Sequence, residues 1–304
     1  MIKAFGYVIG IFLMILMALA PAKAQQARDV SGDVYYEIFV RSFKDSNGDG
    51  IGDLQGVIAA LDYLQDLGIT GIWLMPIHPS PSYHGYDIID YYGINPAYGN
   101  LEDFKSLLQE AHQRGIKVML DLVINHTSNF HPWFQRFREG EVPYDDYYVW
   151  SDEKPDWRGV SGSPAWHALD ERYYLGLFWS GMPDLNLSSQ ALTQELYRMV
   201  AYWLNLGVDA FRFDAVQHLI ESDSGSIRNT LKPWHGLKPF EAFIKTVNPA
   251  AFIVAETWTD SETIAKYHRE ADLDLSFNYP IYNALIGGIQ NAMPAIYNLP
   301  SPKI

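Results

Sequence analysis

Apolar runs of a few residues alternate along this chain with longer stretches in which apolar side chains recur every three or four positions. The first pattern predicts buried strands and the second amphipathic helices. Strands are expected over 34–40, 71–75, 117–124, 208–213, 251–255 and 273–277. A helix is expected over 54–67, where Leu54, Val57, Ile58, Leu61, Leu64 and Leu67 keep helical spacing. Another is expected over 102–114, closed by Gly115, and more over 190–206, 239–247, 262–268 and 281–293. Strand and helix in strict alternation predict an α/β fold of repeated β/α units. The alternation breaks between 127 and 186. That stretch is rich in Trp, Tyr, Pro and Gly and too long for a simple loop, so it reads as a small domain inserted after the third strand.

Composition changes this picture little. With 48% hydrophobic and 19% charged residues the chain is an ordinary globular one. Its net charge of -14 argues against nucleic acid or an anionic membrane as partner. It has no cysteine, so disulfides and thiolate chemistry are excluded. The N-terminus carries a location signal. Lys3 precedes an apolar run over 4–20, and Ala22-Lys23-Ala24 follows as an A-x-A-like cleavage site. This layout predicts a secretory leader over 1–24 and a secreted product without stable membrane insertion. The competing reading is an uncleaved membrane anchor.

Three strands carry the candidate chemistry. The segment 208–218 is an apolar run that delivers Arg212 and Asp214 on one face, because residues two apart on a strand point the same way. Phe211 and Phe213 take the other face. The segment 118–126 ends in Asn125 and His126, and 252–258 delivers Glu256. Acids and histidines at the C-terminal ends of successive strands are the signature of a β/α-barrel active site. Asp214 and Glu256 form a carboxylate pair, which can divide labour between nucleophile and general acid.

The runs D-L-V-I-N-H at 121–126, F-R-F-D-A-V-Q-H at 211–218, E-T-W at 256–258 and M-P-D-L-N at 182–186 together resemble conserved regions of the α-amylase family of glycoside hydrolases. The resemblance covers about residues 33 to 290 and implies a (β/α)8 TIM barrel, of which about six units are present. It implies a barrel over 25–126 and 187–304 around a B-type insert at 127–186. It implies Asp214 as nucleophile, kept ionised by Arg212, and Glu256 as general acid and then base with its pKa raised relative to Asp214. The two carboxyls are expected about 5–5.5 Å apart, as in retaining enzymes. His126 and His218 would hydrogen-bond the sugar at the cleavage point, Tyr86 would lie under it, and Asp121 would orient loops. The family has a further His-Asp pair after strand seven, and no residue here matches it. The expectation is a fragment of a longer product or a natural truncation, which alone would fold poorly or aggregate because strand edges and a core face are open.

The loop D-S-N-G-D-G-I-G-D at 45–53 places oxygen donors at alternate positions around glycine turns, which suits a hard cation. It is similar to a calcium loop of one branch of the family. The ligands would be Asp45, Asn47, Asp49, Asp53 and the carbonyl of Ile51, with a structural Ca2+. Asn125 matches a second calcium position. The M-P-D-L-N form is intermediate between oligo-1,6-glucosidases and neopullulanases. Tyr83 stands where small-substrate exo-glucosidases carry Asp, and an aromatic there could stack on a further sugar. The resemblance thus implies a secreted, monomeric endo-α-amylase acting on α-glucan or maltooligosaccharide. The alternatives are an α-glucosidase or oligo-1,6-glucosidase, a non-catalytic membrane-anchored relative, or a glucan-binding module.

Overall fold

The computed structural model describes residues 32–219, 232–271 and 273–297. The expected leader over 1–24 lies outside them. Six strands form one parallel sheet: β1 (Tyr35–Ile38), β2 (Gly71–Leu74), β3 (Lys117–Leu122), β7 (Ala210–Phe213), β8 (Phe252–Ala255) and β9 (Leu275–Ser276), in that spatial order. The sheet curls into a partial barrel. The rings of Tyr35 on β1 and Phe252 on β8, strands that are not neighbours, meet across the interior at 5.7 Å. Trp73 of β2 likewise meets Phe277, just past β9, at 5.5 Å. Gly71 makes room for this filling, since a Cβ there would lie 2.3 Å from the Tyr35 ring.

The helices form where the apolar spacing predicts. Helix α4 (Leu101–Gln113) begins with a capping box between Asn100 and Asp103 and buries Phe104, Leu107, Leu108 and Ala111. Gly115 then turns the chain at φ +71°. Helix α6 (Gln190–Leu206) is capped by Ser189 and ends at the left-handed Gly207.

Other bounds differ from expectation for local reasons. The first strand stops at Ile38, and a helical turn α1 (Val40–Phe43) follows. The expected helix over 54–67 is two pieces, α2 (Leu54–Ile58) and α3 (Leu61–Asp66). Lys44 Nζ takes the Ala59 carbonyl at 3.2 Å, and Ala60 N–H tightens to the Val57 carbonyl, so the ladder breaks there. Helix α7 (Lys232–Val247) starts earlier than 239 and runs through Pro239. Burial of Leu237, Phe240 and Ile244 along one face accounts for a helix that local propensity disfavours. Helices α8 (Ser261–Ala271) and α9 (Tyr279–Tyr297) complete the order. Ile281, Tyr282, Leu285 and Ile289 of α9 are exposed.

Residues 127–186 hold helix α5 (Pro132–Arg138) and a three-stranded antiparallel sheet, β4 (Trp150–Ser151), β6 (Arg172–Leu175) and β5 (Trp166–Leu169) in spatial order. Ala165, Trp166, Leu175 and Leu177 make a small core of their own. Phe134, Phe137, Tyr148 and Tyr174 join the main core instead. Among the described residues no helix is long and apolar enough to cross a membrane.

Candidate active site

Strand register assembles the charged centre. β3 and β7 pair with Asp121 opposite Arg212, so both side chains leave one face of the sheet. Asp214 follows β7 by one residue, and Glu256 follows β8 by one residue. The result is one guanidinium among three carboxylates. Arg212 Nη1 donates to Asp121 at 2.8 Å and also to Asp214, while Nη2 lies 2.8 Å from Glu256 Oε1. The guanidinium also sits over the Trp73 ring at 5.1 Å. Phe213 points the other way, into Phe240 of α7.

The turn after β7 aims a backbone donor at the same centre. Ala215 is left-handed at φ +49°, one of two non-glycine residues with positive φ among those described. Its N–H donates to Glu256 Oε2 at 3.1 Å. Strained backbone of this kind persists where the surroundings over-determine it, often at functional sites.

Burial dominates the electrostatics. It pushes the Asp214 carboxyl up to about 8; Arg212 pulls against it, and Asp121 and Glu256 add to the rise. Asp121 is pushed up to about 6 by burial, against the pull of Arg212. Arg212 opposes this rise by its charge and by its bonds to Asp121 and Asp214.

Around this centre lies a cavity of about 650 Å³. Its wall includes Tyr86, His126 and His218, together with Phe178, Met182 and Trp258. Tyr86 donates to Asp121 at 3.2 Å, and burial raises its pKa far above that of a free phenol. Asp121 thus holds both the guanidinium and the Tyr86 hydroxyl. His126 is buried and pushed down to about 4, so it is neutral at neutral pH. The Phe178 ring packs on His126 at 5.1 Å and on His218 at 5.7 Å. His218 Nε2 accepts from Gln217 at 3.1 Å.

The model of the alpha-amylase catalytic domain matches residues 37–299. The chain belongs to the alpha-amylase family. It is 44% identical over 259 residues to alpha-amylase 3 of Dictyoglomus thermophilum, covering 85% of this chain and 49% of that one. It is 46% identical over 192 residues to the oligo-1,6-glucosidase of Parageobacillus thermoglucosidasius, covering 60% of this chain and 34% of that one. The solved alpha-amylase from H. orenii superposes with a TM-score of 0.77 at 46% identity, covering 84% of this chain and 53% of that one. The chain spans about half the length, or less, of the curated relatives it matches.

In this alpha-amylase-family chain the cavity does not gather every residue expected from the sequence. Tyr83 is 70% exposed and stands outside the cavity wall, edge-on to Phe39 and His84. Conversely, Phe178, Met182 and Trp258 line the cavity without having been singled out as contacts. Met182 and Trp258 lie inside the M-P-D-L-N and E-T-W runs, which was the available signal. Phe178 lies in the long polar and aromatic stretch, where no periodicity points to it.

The 45–53 loop is folded on itself. Asp45 Oδ1 accepts from the N–H groups of Asn47 and Gly48, and Oδ2 from that of Gly50. Asn47 and Asp49 accept from Asp49 and Ile51. Asp53 caps α2 through Gly56 N–H and accepts from Ser46. Among the described residues no three His, Cys, Asp or Glu side chains gather as a metal cage. Asn125 is buried, and its amide donates to His126 Nδ1 at 3.3 Å.

Proposed function

We propose that the chain is a retaining α-glucan hydrolase acting on α-1,4-glucosidic bonds, with Asp214 as nucleophile and Glu256 as general acid and base. The observation that carries this reading is the shared guanidinium: Arg212 bonds both carboxyls, from adjacent strand ends, beside a cavity large enough for sugar rings. In the first step an Asp214 oxygen attacks the anomeric carbon. The bond to the glycosidic oxygen breaks, and that oxygen takes a proton from Glu256. In the second step water gives a proton to Glu256 and attacks the same carbon, releasing Asp214 as a carboxylate. His126, His218 and Tyr86 line the cavity where the reacting sugar would sit.

The test is reducing-sugar release from soluble starch and maltopentaose, with Asp214→Asn and Glu256→Gln as controls. Release that persists in Asp214→Asn, or none from the unaltered chain, refutes the assignment. A second reading, an α-glucosidase or oligo-1,6-glucosidase, is favoured by the position of Tyr83, because the residue that argued for a long binding cleft stands outside the cavity. Glucose as sole early product would support that reading, and a ladder of oligosaccharides the endo-acting one. Relatives 38% and 39% identical are named 4-alpha-glucanotransferase, so longer products formed from maltopentaose would mark transfer to sugar in place of water.

Two further proposals belong here. The 45–53 loop would take a structural calcium ion through Asp45, Asn47, Asp49, Asp53 and the Ile51 carbonyl; calorimetric titration with calcium, lost in Asp49→Ala, tests this. The leader would direct export, and a secreted product beginning at Gln25 tests that.

A further inference from the structure

Glu256 is held from two kinds of place. Arg212 Nη2 and Ala215 N–H reach it from β7 and the turn that follows, which are buried and fixed. Trp258 reaches it from the rim. Its indole N–H donates to Glu256 Oε1 at 2.9 Å, although the residue is 57% exposed. The exposed indole is steadied by a stack: its ring lies on Tyr279 at 3.6 Å with an interplanar angle of 15°. The Tyr279 ring abuts Phe277 edge-on, and Phe277 packs on Trp73 beneath Arg212. An aromatic chain therefore runs from the barrel interior to the rim and ends on the carboxyl.

The last side-chain torsion of a glutamate is broad, so hydrogen bonds and not rotamer preference set the plane of its carboxyl. A planar guanidinium favours two parallel bonds to one carboxylate. With Arg212 alone, Glu256 could turn both oxygens onto that fork and away from the cavity. The indole N–H is a second donor on Oε1, from the rim side, and with Ala215 N–H on Oε2 it opposes this rotation.

We propose that the Trp258–Tyr279 stack is a positioning element for proton delivery: the indole N–H sets the plane of the Glu256 carboxyl, and the Tyr279 ring holds the indole in place. This rests on the reading of Glu256 as the general acid. Trp258→Phe keeps an aromatic ring and removes the N–H; Tyr279→Leu removes the stack together with the Tyr279 hydroxyl's bond to Glu256, and Tyr279→Phe, which removes that hydroxyl alone, separates the two. Each variant and the unaltered chain are assayed on maltopentaose, whose leaving oxygen needs a proton, and on α-maltosyl fluoride, whose fluoride leaves without one. Proton delivery by a placed side chain contributes about 10²–10⁴-fold. Trp258→Phe is expected to lower kcat/KM on maltopentaose by at least about tenfold and on the fluoride by less than about threefold, since only the first step's acid is misplaced. Tyr279→Leu should give the same split at smaller size. Equal losses on both substrates, or none in either variant, overturn the proposal. An unaltered chain inactive on both substrates overturns the reading of the site and this proposal with it.

Discussion

Replacing Arg212 with Met removes the cation that Asp121, Asp214 and Glu256 share, while keeping the bulk of the side chain over Trp73. Removing one partner of a buried ion pair costs about 3–5 kcal/mol, because the other charge is left uncompensated. Three carboxyls lose their shared cation here, so the loss at about pH 8 should reach the top of that range. The pH dependence follows from the direction of the shifts. Asp121 stands at about 6 and Asp214 at about 8 in the folded chain, both above the unfolded value. Groups raised on folding bind protons that the unfolded chain releases, so their contribution to stability is present at low pH and is lost as pH climbs through the folded values. Without Arg212 both values rise further and the fall steepens. At about pH 5 Asp121 and Asp214 hold their protons more fully, and the loss should shrink to about 1–2 kcal/mol. Urea unfolding followed by Trp fluorescence at the two pH values measures this. A penalty equal at both, or larger at the acid one, would show that Arg212 is not neutralising buried carboxylates.

Three other outcomes follow from the same structure. His131 caps α5 by accepting from Trp133 N–H, and burial pushes it down to about 3, so its contribution is lost as pH falls from about 6.5 toward that value. His131→Asn keeps an acceptor and removes the titration; it should flatten the acid side of the stability curve by about 2 kcal/mol at about pH 5, and an unchanged acid slope would count against the account. Gly71→Ala forces a Cβ into the Tyr35 ring and should lower stability by about 1–3 kcal/mol, seen as a lower melting temperature. The exposed apolar residues of α9 should make the chain associate at micromolar concentration, and Leu285→Lys with Ile289→Lys should reduce this in sedimentation velocity; an unaltered chain that sediments as a monomer refutes it.

Local pattern in the sequence was enough for the parallel α/β alternation, because a buried strand and an amphipathic helix each write their own period into the order of residues. It was enough to set Arg212 and Asp214 on one strand face and Phe211 and Phe213 on the other, since a two-residue repeat needs no partner to define it. Asp121 as the third carboxylate on Arg212 depends on the register between β3 and β7, which no single strand contains. Tyr83 and Tyr86 are three residues apart, yet one stands in solvent and the other on the cavity wall, because the fold of the loop and not its composition aims them. The surroundings of Asp214 are illegible from the sequence for the same reason. An adjacent arginine is legible there, but the depth at which the pair is buried, and the two further carboxyls that compete for the same guanidinium, exist only once distant strands have closed around them.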